Sequence, residues 1–135
     1  MKYRLYVNGK CKNYRSFQSN IGIGGVILND YGDETSFSRN VGTGTCCEAQ
    51  IYAILHGIDI ISKSKDAESV TVYISNLMLV DYLNEKHIDI SASTEILVDK
   101  LKIFIKSLKL NVNFEYFDVS EYSYVRSLAE DAIEL

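Results

Sequence analysis

The chain has 135 residues, of which 47% are hydrophobic and 24% charged, enough for one soluble domain with a real core. A net charge of −4 argues against a dominant electrostatic grip on nucleic acid. No apolar run approaches the roughly 18 residues that span a bilayer, and the first residues alternate like a strand instead of forming a secretory leader. A cytoplasmic protein with no membrane partner is expected. Met1 and a full run of elements set the expectation of a whole protein forming a single domain, residues 1–135.

In chain order, residues 3–8 read as a strand ended by the turn signal Asn8-Gly9, followed by a polar loop over 10–20. Residues 21–28 form a second apolar run, whose glycines suggest close backbone approach or a bulge. A hairpin loop at 29–33 leads to a third strand at 34–41, so the first forty residues read as an antiparallel meander. Thr45, a good N-cap, opens a helix over 46–62 in which Ala49, Ala53, Ile54, Leu55 and Ile58 make an apolar face, with Gln50 on its flank. A β-branched strand at 70–75 follows, then a helix at 77–83 capped by Asn76. Residues 88–93 read as a loop and 94–108 as an amphipathic helix with Ile96, Leu97, Leu101, Phe104 and Ile105 inward. A last strand at 112–119 and a closing helix at 122–135 complete the order β-β-β-α-β-α-α-β-α. That order predicts an α/β fold: a mixed five-stranded sheet, its first three strands antiparallel, flanked by helices.

The cysteines, Cys11 and the adjacent Cys46 and Cys47, lack the pairing of a disulfide framework and the spacing of a zinc site, and are expected to be reduced structural thiols. Lys2, Arg4, Lys10, Lys12 and Arg15 place five of the fourteen basic residues in the first fifteen positions, a local basic patch.

The order and its landmarks resemble the ribonuclease H family, in particular its compact, reverse-transcriptase-like group. Members have a strand ending in Asp-Gly, a Gly-x-Gly strand, a helix opening Thr-Asn-Asn-x-Ala-Glu-x-x-Ala-Leu-x-x-Gly-Leu, a strand ending in Asp-Ser, and a last helix with Ala-Asp-x-Leu-Ala. Thr45, Ala49, Ala53, Gly57 and Ile58 keep the register of the helix signature without a gap. The resemblance implies a site where acidic side chains hold two divalent metals, usually Mg²⁺, that clamp the attacking water and the leaving oxygen of a phosphodiester.

At the four acidic positions this chain has Asn8, Gln50, Asn76 and Arg126. Three carboxylates have become amides and the fourth a permanent cation. Glu48 is two residues from Gln50, a helical rotation of about 200°, and should face away from it. Asp118, Glu121 and Asp131 read as solvated or capping acids. The Asn-Asn pair that in the family holds the hybrid's backbone and 2′-OH groups is Cys46-Cys47 here, a poor substitute for amide donors and acceptors.

No catalytic residue and no metal or cofactor is therefore expected, Mg²⁺ entering only under a nuclease reading. The leading expectation is a catalytically inactive domain that binds RNA or RNA–DNA hybrid through Arg126, Lys10, Lys12, Arg15, Asn8, Gln50 and Asn76. The alternative is a protein-interaction or structural module, with a protein partner or a second copy as a homodimer. An active metal-dependent ribonuclease H using non-standard acids is third. His56 reads as a surface or packing histidine and His87 as an exposed loop histidine. Tyr116, Phe117, Tyr122 and Tyr124 are read chiefly as packing of the last strand and helix, with base stacking or a protein interface as the functional option.

Overall fold

The structure, a computed structural model, describes residues 1–13, 19–86 and 90–133. Three strands come first: β1 (Lys2–Cys11), β2 (Ser19–Asn29) and β3 (Glu34–Gly44). Then follow α1 (Cys46–Ser62), β4 (Ser69–Ile74), α2 (Leu77–Leu83), α3 (Ala92–Lys106), β5 (Asn111–Tyr116), a short 3-10 turn (Val119–Glu121) and α4 (Ser123–Ile133). The described residues form one five-stranded sheet in the order β3-β2-β1-β4-β5. β1, β2 and β3 are antiparallel neighbours, whereas β4 runs parallel to β1 and β5 parallel to β4.

Alternation along β1 assigns the two faces of the sheet. Leu5, Val7 and Gly9 point to the α1 side, where Gly57 of α1 leaves room for Leu5. Tyr6 and Asn8 point the other way. Across from Asn8, Gly24 lies against the α4 backbone at Leu128 and Ala129, and Gly22 against Ala129 and Ala132. The Gly-x-Gly strand is thus a floor for a closely packed helix, and α4 buries Val125, Ala129 and Ala132 on it. Ser38 Oγ adds a bond of 2.5 Å to the Leu128 carbonyl.

The turn signal at Asn8-Gly9 is not used. β1 continues to Cys11, Gly9 pairing with Ile23 and Lys10 with Gly22, because the long β2 offers partners that far. The middle of the expected 10–20 loop lies outside the described residues. The loop at 29–33 is a turn whose Asn29 Oδ1 accepts from Tyr31 N and Asp33 N, with Gly32 at φ +82°.

α1 starts at Cys46 with a full capping box. Thr45 Oγ1 accepts from Glu48 N, and Glu48 Oε1 accepts from Thr45 N. Its buried face is Ala49, Ile51, Ala53, Ile54, Gly57, Ile58 and Ile61; Ile51 takes the place expected of Leu55, which is half-buried at the shoulder. α3 corrects the sequence reading more sharply. It begins at Ala92, capped by Ser91, and buries Thr94, Leu97, Val98 and Leu101. Ile96 is 58% exposed, while Phe104 and Ile105 pack half-buried against the core. β5 ends at Tyr116 instead of residue 119, because Asp118 accepts bonds from Ser120 N and Oγ and turns the chain into the 3-10 turn. The last two residues of the expected closing helix are outside the described residues. No helix among the described residues is long and apolar enough to cross a membrane.

Candidate functional site

The parallel pairing of β1 with β4 ends at Val7 opposite Ile74. Asn8, still in β1, and Ser75, just past β4, come next on the two segments. Asn8 is 2% exposed, and its Oδ1 accepts a long bond of 3.5 Å from Ser75 Oγ. Its Nδ2 is buried with no hydrogen-bond partner. Gln50 is brought to the same corner from α1, because the Ala49–Gln50 peptide lies against Gly9, the next residue along β1. The Gln50 Oε1 is likewise buried without a partner. An unpaired donor on one amide and an unpaired acceptor on the other each carry a desolvation cost of about 1–3 kcal/mol.

Asn76, directly after Ser75, is committed elsewhere: its Oδ1 caps α2 by accepting from Leu79 N at 3.1 Å. Arg126 lies in the first half of α4, half exposed, and its Nε donates to Glu130 Oε1 at 2.7 Å. The structure therefore joins Asn8 to the Ser75-Asn76 strand end and sets Gln50 beside β1, while Arg126 is engaged within its own helix. Lys10 lies on the same sheet face as Asn8, two residues on, and Lys12 is exposed just beyond β1. Arg15 and His87 lie outside the described residues.

This donor set does not fit the divalent metal that the family's chemistry uses. A hard cation takes oxygen ligands, mostly carboxylate. Here Asn8 presents a buried N–H donor, the Asn76 oxygen is occupied, and the fourth position carries a guanidinium. Among the described residues no group of three or more His, Cys, Asp or Glu side chains could hold a metal ion. Glu48 is held in the capping box beside Gly44, turned away from Gln50. Asp118 caps the 3-10 turn, and its bonds from Ser120 hold its carboxyl below the usual aspartate pKa. Asp131 is exposed on α4.

The cysteines differ from expectation. Cys11 and Cys46 form a disulfide, with Cα atoms 4.8 Å apart. The pairing follows from the extension of β1: two residues beyond Gly9, the strand ends beside the first turn of α1. Cys47 stays free and half-buried, and burial raises its thiol pKa against a smaller opposing effect of Thr94. It borders a depression of about 390 Å³ with Thr45, Asn76, Met78, Ile90 and Thr94.

His56 packs edge-on against Phe37, with ring centroids 4.7 Å apart. Of the four late aromatics, Tyr116 and Tyr124 are about half exposed, whereas Phe117 and Tyr122 pack, but around two residues that the sequence reading left out. Tyr6 and Tyr73 stack at 4.5 Å, and Phe117 and Tyr122 meet the Tyr6 ring edge-on. Their signal was positional: Tyr6 and Tyr73 lie two residues before Asn8 and Ser75, on the same sheet face.

No protein-family model and no curated protein matches the chain. Solved structures do. A ribonuclease H1 isolated from compost, LC11, solved in complex with an RNA/DNA hybrid, is 18% identical over 98% of this chain and 96% of its own, with a TM-score of 0.84. Ribonuclease H1 of Halobacterium salinarum is 10% identical over 99% and 98%, with a TM-score of 0.86. The N-terminal ribonuclease H domain of Rv2228c from Mycobacterium tuberculosis is 16% identical over 98% and 94%, with a TM-score of 0.83. The chain has the ribonuclease H fold.

Proposed function

We propose that this domain binds RNA or RNA–DNA hybrid without cleaving it. The observation that carries the reading is the Asn8 side chain, almost wholly buried just past the point where β1 stops pairing with β4, with its Nδ2 donor unpaired. Two carboxylates about 4 Å apart repel by roughly 4 kcal/mol at an effective dielectric of about 20, and they need metals to coexist. Amides remove that repulsion, and with it the negative charge that would repel the phosphates of a nucleic acid. Arg126 adds a cation that no pH in the working range removes. The hybrid held by the compost enzyme supports a nucleic-acid ligand for this fold. Lys10, on the same sheet face as Asn8, and the exposed Lys12 are further cations near the end of β1.

A second reading, a protein-interaction module, is favoured by the disulfide. It removes Cys46 from any contact with a 2′-OH, and the net charge of −4 adds to this.

Binding of labelled hybrid, double-stranded RNA and single strands in EDTA separates these readings. Hybrid binding that weakens as salt rises, is reduced in Arg126→Ala, and leaves the strands intact in Mg²⁺ or Mn²⁺ is the expected result. Cleavage would overturn the proposal, and absence of binding at low salt would transfer the fold to the protein-partner reading.

A further inference from the structure

On the α4 side of the sheet, a depression of about 500 Å³ opens over β1 and β4, within the roughly 300–1,000 Å³ of small-molecule sites. Its walls are aromatic: Tyr6, Tyr73, Phe117, Tyr122 and, at the rim, Tyr116, which is 48% exposed. The rings do not form one flat stack. Phe117 stands at 83° and Tyr122 at 62° to the Tyr6 ring, so π faces and edges meet around a corner. Among the described residues the rest of the lining is two acids, Asp118 and Glu121, on the turn that closes the rim.

We propose that this aromatic corner, with Asp118 and Glu121, is a binding site for an organic cation: an alkylammonium or guanidinium group. Aromatic faces attract a cation through the ring quadrupole, most strongly where several rings at different angles displace its water. Carboxylates at the mouth add a charge of the right sign, and the bonds from Ser120 keep Asp118 ionised. The charge around Tyr122 agrees: burial raises its phenol pKa first, the Glu34 charge raises it further, and Arg4 opposes that with a smaller effect. An anionic ligand would meet two carboxylates at the rim, which disfavours a phosphate there. The site stands on its own geometry and does not depend on the nucleic-acid reading of Asn8.

The test uses choline and its uncharged isostere 3,3-dimethylbutan-1-ol, followed by tyrosine fluorescence (the chain has no tryptophan) and by the ring-proton NMR signals of Tyr6 and Tyr73. Choline is expected to bind about tenfold more tightly than the isostere. The double variant D118N/E121Q keeps the turn's cap geometry and should weaken choline, but not the isostere, by a similar factor. A second arm compares choline with N-acetyl-arginine amide and with a short arginine-containing peptide. Tighter binding of the peptide assigns the site to a basic side chain of a protein partner. Equal or tighter binding of choline assigns it to a free small cation. Equal binding of choline and isostere, an unchanged choline affinity in D118N/E121Q, or tighter binding of a nucleoside at the same rings would overturn the proposal. The retained fold of the variant is checked by circular dichroism, and Tyr73→Leu supplies a second variant that removes a ring without removing charge.

Discussion

Gly9 of β1 and Gln50 of α1 touch through their backbones: a Cβ on residue 9 would overlap Gln50 N and the Ala49 carbonyl carbon, and would stand 2.8 Å from Ala49 Cβ. That contact brings a helix and a strand together at the candidate site. Neither partner is a flexible side chain, so Gly9→Ala must push α1 off the sheet. The expected loss is about 3 kcal/mol, the upper end of overpacking, read by urea denaturation. Gly32→Ala makes the comparison: nothing lies within 4 Å of its Cβ, and only the φ of +82° resists, so about 1–2 kcal/mol is expected. Equal losses at the two sites would show that close approach at Gly9 does not govern the helix position.

The capping box at Thr45 anchors the same helix end. Thr45→Ala leaves the Glu48 N–H without its acceptor and should cost about 1 kcal/mol. Thr45→Ser should restore most of it. Denaturation midpoints of the two variants check this.

Asn8 bears on the relation between stability and function. Its Nδ2 is buried and unpaired, and its one bond, to Ser75, is long. Asn8→Leu replaces it by an apolar side chain of similar size, so stability should stay within about 1 kcal/mol of the parent or rise above it. Binding of hybrid should be retained at the same time, because Leu is as uncharged as the buried Asn8 amide. A large loss of stability would show that the Asn8 amide is a structural hydrogen-bonding group after all.

The Cys11–Cys46 bond joins residues 35 apart. On the loop-entropy account, closing such a loop stabilises by about 3–4 kcal/mol. Reduction, or Cys11→Ser, should lower the denaturation midpoint accordingly, and the thiol count of the denatured chain should rise from one to three on reduction. Disulfides persist in oxidising compartments and are rare in the cytosol. The bond and the expectation of a cytoplasmic protein therefore pull in different directions, and a thiol count on protein trapped directly from cells decides between them.

His56 gives the chain a pH dependence near neutrality. Burial holds its pKa below the usual histidine value, and Arg39 pushes it the same way; Asp59 opposes both, and Lys63 adds a smaller downward push. The unfolded chain thus binds the proton more readily than the folded one. The contribution is fully present above about pH 6.5, the unfolded value, and is lost as pH falls below it towards the lower folded value. Stability should decline from pH 7 to pH 5, and His56→Gln should flatten that slope. An unchanged slope would place the titrating group elsewhere.

Much of the fold was legible because its punctuation is local. Thr45 before an apolar helical face, and Asn76 before an apolar run, placed α1 and α2 at their observed bounds. The misjudged parts depend on partners distant in sequence. Asn8-Gly9 has the composition of a turn, yet the length of β2 keeps it in the sheet. Ile96 fits the helical period, but the side of α3 that meets the core is set by Leu97 and Val98. At the candidate site, the register of the family resemblance singled out Asn8, Gln50, Asn76 and Arg126, and the structure brings the first three to the β1–β4 corner. What it could not supply was their bonding: Asn76 is spent on a cap, Arg126 on Glu130, and Cys46 on Cys11. Tyr6 and Tyr73 escaped notice because parallel pairing, which no local pattern announces, is what stacks them.

The disulfide also makes a covalent ring of residues 11–46, with the whole β2–β3 hairpin inside it. The exposed tip of that hairpin, around Tyr31 and Gly32, lies far from either end of the ring. A protease cut there yields two polypeptides that still travel as one molecule until a reductant parts them. The same tip is accordingly the place to open new chain ends, or to carry an inserted tag, without letting the first strand drift from the helix it lies against.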